Sequence, residues 1–259
     1  MNTTTVSVRG GAFSTECIEA GSGSPVLVLH GWNGIVPEAM IEGLAKTHRV
    51  IAPLIPGYGN STGDEHLNDF VDLIYWGLDF MDAAGLKDVP IVAHSLGAML
   101  AAELAAAQPD RIAKLVLIAP FGLWNEDRPV VDFFVETPAG LAAAMYANPS
   151  SDAAQSAASV PQDDAGRVAF FYERAKSLRI AAKYLWPIPN RGLARRAHRI
   201  SAPTLLVWGE QDRICPPALA ADFQAAIKNT SVAVIPGAGH LPGAEQPQAL
   251  LSVVNGFLA

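Results

Sequence analysis

Short apolar runs alternate with helix-period segments through the first 120 residues and again after residue 200, but not between. Val26 to Leu29, Val89 to Ala93, Ile112 to Ala119 and Thr204 to Trp208 are continuous apolar runs of strand length. That is the pattern of strands covered on both faces. Arg49 to Pro53 and Ser231 to Ile235 repeat it. Pro37 opens a helix with Met40, Ile41 and Leu44 on one face. Leu67, Phe70, Val71, Ile74, Leu78 and Met81 recur at three- and four-residue steps until Gly85. Leu96 to Gln108 predicts an Ala-rich helix ended by Pro109, and Pro216-Pro217 and Pro247 open two more. Val6 to Arg9 and Phe13 to Ala20 predict a hairpin around Gly10-Gly11.

From Phe121 to Ile200 no apolar strand run occurs, only helical patches such as Ala139 to Ala147 and Arg167 to Tyr184. Strand–helix units interrupted once by a helical block predict an α/β fold. A mostly parallel sheet is built from residues 1–120 and 201–259, with a helical cap inserted at 121–200.

Composition narrows the class. At 259 residues, half of them apolar, the chain can bury a large core in one main domain. The net charge of −7, without a Lys/Arg block, argues against nucleic acid or an anionic membrane as partner. Met1 to Ser7 has no basic start and no apolar stretch, and no run is long enough to span a bilayer. The two cysteines, Cys17 and Cys215, fit a reduced protein, so a cytoplasmic location is expected.

The chemistry centres on Ser95. In Ile91-Val92-Ala93-His94-Ser95-Leu96-Gly97-Ala98 an apolar strand ends abruptly at a serine and a helix begins, with small residues two places to either side. This is the arrangement of a nucleophile elbow, with Ala93 where glycine is usual. A serine hydroxyl needs a histidine to take its proton and a carboxylate to hold that histidine in the right tautomer. Asp212 follows the strand ending at Trp208, and His240 follows the strand ending at Ile235, so both emerge at carboxyl ends of strands. Asp127, near the start of the helical block, is a competing acid. His30 suits bracing its own turn, and His94 is too close along the chain to Ser95 to serve as its base. No His/Asp/Glu grouping has metal-ligand spacing, and no cofactor is expected. Two backbone N–H groups are needed for a developing oxyanion. Leu96, after the serine, and Trp32, in Leu29-His30-Gly31-Trp32, are placed to supply them.

With these motifs in this order, the chain resembles the α/β-hydrolase superfamily along almost its whole length. The resemblance implies Ser95 as nucleophile, Asp212 as orienting acid, His240 as general base, and Trp32 and Leu96 as oxyanion donors. It implies cleavage of a small or medium-sized carboxylic ester, with His30, Phe121, Trp124, Phe134, Tyr146, Trp186 and Leu241 as candidate pocket residues. A cap arginine (Arg167, Arg174, Arg179 or Arg191) could hold a substrate carboxylate. Serine at the elbow argues against epoxide hydrolases and haloalkane dehalogenases, which use aspartate there. The nearest rival is a meta-cleavage-product hydrolase cutting a carbon–carbon bond in 2-hydroxy-6-oxo-dienoates. Its members often carry tryptophan after the histidine, where this chain has Leu241. Thioesterase, lactonase and perhydrolase chemistry also fit the triad. A reading of another class is a hydrolase-like binding protein without turnover.

Overall fold

Side-chain alternation along the apolar runs splits the interior into two cores, one on each face of a single eight-stranded sheet. The computed structural model describes residues 1–188 and 191–259. β1 (Asn2–Val8) and β2 (Phe13–Ala20) form the expected hairpin, and β2 runs antiparallel to β4 (Arg49–Pro53). From β4 across β3 (Pro25–Leu29), β5 (Val89–His94), β6 (Ile112–Ile118), β7 (Thr204–Gly209) and β8 (Thr230–Ile235), every pairing is parallel. The order across the sheet is β1-β2-β4-β3-β5-β6-β7-β8.

On β3 and β5, Leu27, Leu29, Ile91 and Ala93 face one core, while Val26, Val28 and Val92 face the other. Successive strand residues point to opposite faces, which explains why these strands are apolar throughout. α1 (Glu38–Leu44) and α9 (Pro247–Leu258) cover the second core through Met40, Ile41, Leu44, Leu250 and Val254. α2 (Phe70–Ala83) and α3 (Ser95–Ala107) cover the first. All of Ser95 to Ala106 is buried, and the small Ala98, Ala101, Ala102 and Ala105 side chains let the α3 backbone lie close to the sheet.

Several boundaries differ from the sequence pattern. β1 starts at Asn2, because the exposed β-branched Thr3-Thr4-Thr5 run extends the edge strand. α2 begins at Phe70, since the Asp69 carboxylate accepts the Val71 and Asp72 N–H groups and fixes the helix start there. The Pro216-Pro217 segment forms a 3-10 turn, Pro217–Leu219, before α7 (Ala220–Ala226).

Between β6 and β7 the described residues carry helices and no strand: α4 (Pro138–Met145), α5 (Asp152–Ala158) and α6 (Asp164–Leu185). α5 has no apolar periodicity, and its start is set by the Ser151 hydroxyl, which accepts the Ala154 N–H. Residues 189–190, inside the insert, lie outside the described residues. The end of the insert is tied to α3. Arg196 donates to both oxygens of Glu103, a carboxylate only 2% exposed.

Removing one partner of a buried pair costs about 3–5 kcal/mol. Because the Arg196 side chain is 41% exposed, solvent screens part of the loss. Arg196→Leu is therefore expected to cost about 2–3 kcal/mol in urea unfolding. The double substitution Glu103→Leu/Arg196→Leu should recover most of it, because no buried charge is left without a partner. Additive losses would show that the pair is not the cause.

Candidate active site

The chain leaves β3 toward β4 and leaves β5 toward β6, in opposite directions across the sheet. A crevice therefore opens at the carboxyl ends of these two neighbouring strands. The Gly31 turn follows β3 and Ser95 follows β5. Ser95 adopts φ +56°, in the left-handed region, which turns the chain sharply and lifts the side chain off the sheet edge. Two glycines permit this. A Cβ on Gly97 would lie 2.5 Å from the His30 carbonyl oxygen, and one on Gly31 would lie 2.6 Å from His94 Nδ1. Gly97 N–H instead donates to that carbonyl at 3.1 Å, so the elbow helix rests on the β3 turn.

His240 meets Ser95 at the crevice, with Nε2 2.9 Å from Ser95 Oγ. Its Nδ1 lies 2.9 Å from Asp212 Oδ2. Asp212 Oδ1 accepts the Ile214 and Cys215 N–H groups, both at 2.9 Å. The carboxylate is thus held by two amides while its other oxygen takes the Nδ1 proton. That tautomer leaves Nε2 as acceptor for the Ser95 O–H. Ser95 and His240 have no solvent exposure. Leu96 follows the serine along the chain and Trp32 lies in the turn after β3, and neither main-chain N–H has a partner among the described residues. Leu96 lies in the first turn of α3, where no intrahelical acceptor exists.

Asp127, the competing acid, is exposed, and its own N–H caps onto Asn125 Oδ1. Cys215 packs in the core, and its backbone N–H is what reaches Asp212.

Three further groups fix the histidine loop. His94 Nε2–H donates to the His240 carbonyl at 2.7 Å. His240 N–H donates to the Met145 carbonyl at 2.7 Å. Glu245 accepts Gly239 N–H at 2.7 Å and Ala147 N–H at 2.8 Å, bridging the loop to the insert. Burial raises the Glu245 carboxyl, against these amides, which lower it. Sequence reasoning excludes His94 as a base but gives no sign of this bracing role. Glu245 carries no signal in a single sequence.

His30 does brace its turn. Its Nε2 accepts the Ile55 N–H at 3.0 Å, so Nδ1–H donates to the Gly31 carbonyl at 2.7 Å. Burial lowers His30 to about 4. Burial, then the neighbouring His240, lower His94 to about 3. Both are neutral in the folded protein near neutral pH.

A cavity of about 360 Å³ reaches His94, the residue before the serine, on the α1/α9 side. His30, Tyr146 and Leu241 line it, together with Val28, Asn33, Val36, Met40, His94 and Ala153. The remaining candidate pocket residues lie elsewhere. Phe121 is edge-on to the His240 ring at 5.9 Å, outside the cavity. Phe134 packs on Phe133, which in turn stacks on Trp32 at 4.9 Å. Trp124 is engaged with Glu126, and Trp186 is 54% exposed, so neither lines the cavity. Arg167 pairs with Asp164, Arg179 pairs with Asp64, and Arg191 donates to Trp186 and Pro187 carbonyls. None of the four cap arginines borders the cavity.

The profile of the α/β hydrolase family matches residues 26–253. The chain belongs to that family. Among its relatives is the 2-hydroxy-6-oxo-6-(2'-aminophenyl)hexa-2,4-dienoic acid hydrolase of Metapseudomonas resinovorans. The two are 26% identical over 284 aligned positions, covering 97% of this chain and 90% of the relative. The fold is shared with a meta-cleavage product hydrolase from Pseudomonas fluorescens IP01, at TM-score 0.79 and 21% identity over 98% of this chain and 97% of that one. It is also shared with a membrane phospholipase A, at TM-score 0.81 and 21% identity over 99% of this chain and 85% of that one. These proteins are named as a dienoic acid hydrolase, a meta-cleavage product hydrolase and a phospholipase A, so family membership leaves open which bond is cut. No helix among the described residues is long and apolar enough to cross a membrane.

The two lowered histidines make stability pH-dependent. The unfolded state takes up protons below about 6.5, while folded His30 stays neutral to about 4. Stability should therefore rise with pH across that window and fall as pH drops through it. The urea midpoint is expected to decrease from pH 6.5 toward 4, less steeply in His30→Gln. An unchanged slope in that variant would remove His30 from the account.

Proposed function

We propose that this α/β hydrolase is a serine hydrolase that transfers the acyl group of a small or medium-sized carboxylic ester to water through Ser95. The observation carrying this reading is the Ser95–His240–Asp212 chain, with both hydrogen bonds at 2.9 Å. His240 Nε2 takes the Ser95 proton as Oγ attacks the ester carbonyl, and Asp212 stabilises the imidazolium that forms. Trp32 and Leu96 N–H groups receive the oxyanion. Collapse of the tetrahedral intermediate expels the alcohol, which takes the proton from His240. Water, deprotonated by His240, then cleaves the acyl-enzyme and restores Ser95. Residues 121–200 act as a cap in this reading. Its Phe121 lies edge-on to the fully buried His240 and its Phe133 stacks on Trp32, so substrate enters by displacing cap side chains.

Carbon–carbon cleavage of a dienoate is the second reading, favoured by the relatives named above. The cavity lining weighs against it. No Arg or Lys is among the residues around the cavity, and its two histidines are neutral, so a dienoate carboxylate would lie there without a counter-charge.

Turnover of p-nitrophenyl acetate and butyrate is expected, absent in Ser95→Ala. Asp212→Asn should lower kcat by about 10⁴, the loss seen when a triad histidine is held in the wrong tautomer, while Asp127→Asn leaves it unchanged. Rapid bleaching of a coloured dienoate with poor ester turnover would replace the ester reading with the carbon–carbon one.

A further inference from the structure

The cavity of about 360 Å³ is lined by neither Ser95 nor His240, nor by Trp32 or Leu96, so the reacting carbonyl does not sit inside it. Yet its wall contains the chain neighbour of three of these four groups: Asn33 after Trp32, His94 before Ser95, and Leu241 after His240. The cavity therefore borders the segments that carry the site. It is built from the α1 side of the sheet, with Val28 and Met40, and is closed by α5 of the insert at Ala153.

The wall is mostly apolar, and its polar side chains are those of His30, Asn33, His94, Tyr146 and Ser156. Both His30 nitrogens are occupied by Gly31 and Ile55, and His94 Nε2 is occupied by His240. No Asp, Glu, Lys or Arg is among the lining residues. Such a chamber recognises apolar surface and rejects a charge, which would be desolvated there without a partner. Its volume is at the small end of ligand pockets, about 300–1,000 Å³.

We propose that this chamber holds an aliphatic chain of the substrate, so that the enzyme acts on neutral esters carrying a medium-length acyl or alkyl chain. The assignment rests on the serine-hydrolase reading for the word ester, and on the cavity alone for the chain. The insert closes one side of the chamber, so α5 sets chain length from outside the triad.

The test is a p-nitrophenyl ester series from acetate to decanoate, with octyl acetate as the arm that places the chain on the alcohol side. Each added methylene that enters the chamber should raise kcat/KM by up to about fourfold, levelling off at about eight carbons. Ala153→Phe, in α5, and Val36→Phe, in the segment before α1, both narrow the chamber. Both should leave acetate turnover unchanged and lower octanoate or octyl acetate turnover at least about tenfold. Retained acetate turnover also shows that each variant is folded. Calorimetric titration of 1-octanol into Ser95→Ala should show binding that Ser95→Ala/Ala153→Phe lacks. Flat chain-length profiles, with no octanol binding in Ser95→Ala, would overturn the chamber while ester hydrolysis stood. Octanol binding lost in Ala153→Phe, without Ser95-dependent ester turnover, would uphold the chamber and overturn the ester reading.

Discussion

Everything at the site depends on one backbone constraint: Ser95 must sit at φ +56° between a strand and a helix that touch the neighbouring turn. A non-glycine residue in that region costs of order 1–3 kcal/mol, and it persists only where the surroundings over-determine it. Here they do. Gly97 N–H docks on the His30 carbonyl, Gly31 passes against the His94 ring, and the α3 alanines bring the helix down onto the sheet. Ala93 in place of glycine is tolerated because its methyl packs into the α3-side core.

The elbow places only the hydroxyl. His240 arrives from 145 residues away, and its loop is held by groups of three origins. His94, the residue before the serine, grips the His240 carbonyl, so Ser95 and His240 share a strut. Asp212, braced by two amides, fixes the ring. Glu245 and the Met145 carbonyl fasten the same loop to the insert. A Cβ on Gly239 would lie 2.6 Å from that carbonyl, so the two backbones are already in contact. The insert therefore helps position His240.

The sheet was legible because its strands are apolar on both faces and its helices carry period or proline signals. Ser95, Asp212 and His240 were legible because strand ends and loop composition place them at one sheet edge, and they are the residues that hydrogen-bond there. The insert was less so. α5 owes its start to a serine cap rather than to apolar spacing, and α6 is exposed around its first half, so periodicity had little to report. The cavity was the least legible feature, because its wall includes small and aliphatic side chains such as Val36, Met40 and Ala153. A cavity is set by where small side chains leave space, and a single sequence does not display that. His94 and Glu245 act through backbone partners far along the chain, which no local pattern encodes.

The most direct measurement of the central claim is covalent labelling with a small fluorophosphonate, followed by intact-protein and peptide mass spectrometry. The account predicts one adduct, located on Ser95, formed orders of magnitude more slowly in His240→Ala. Labelling of another residue, or an unchanged rate in His240→Ala, would contradict it.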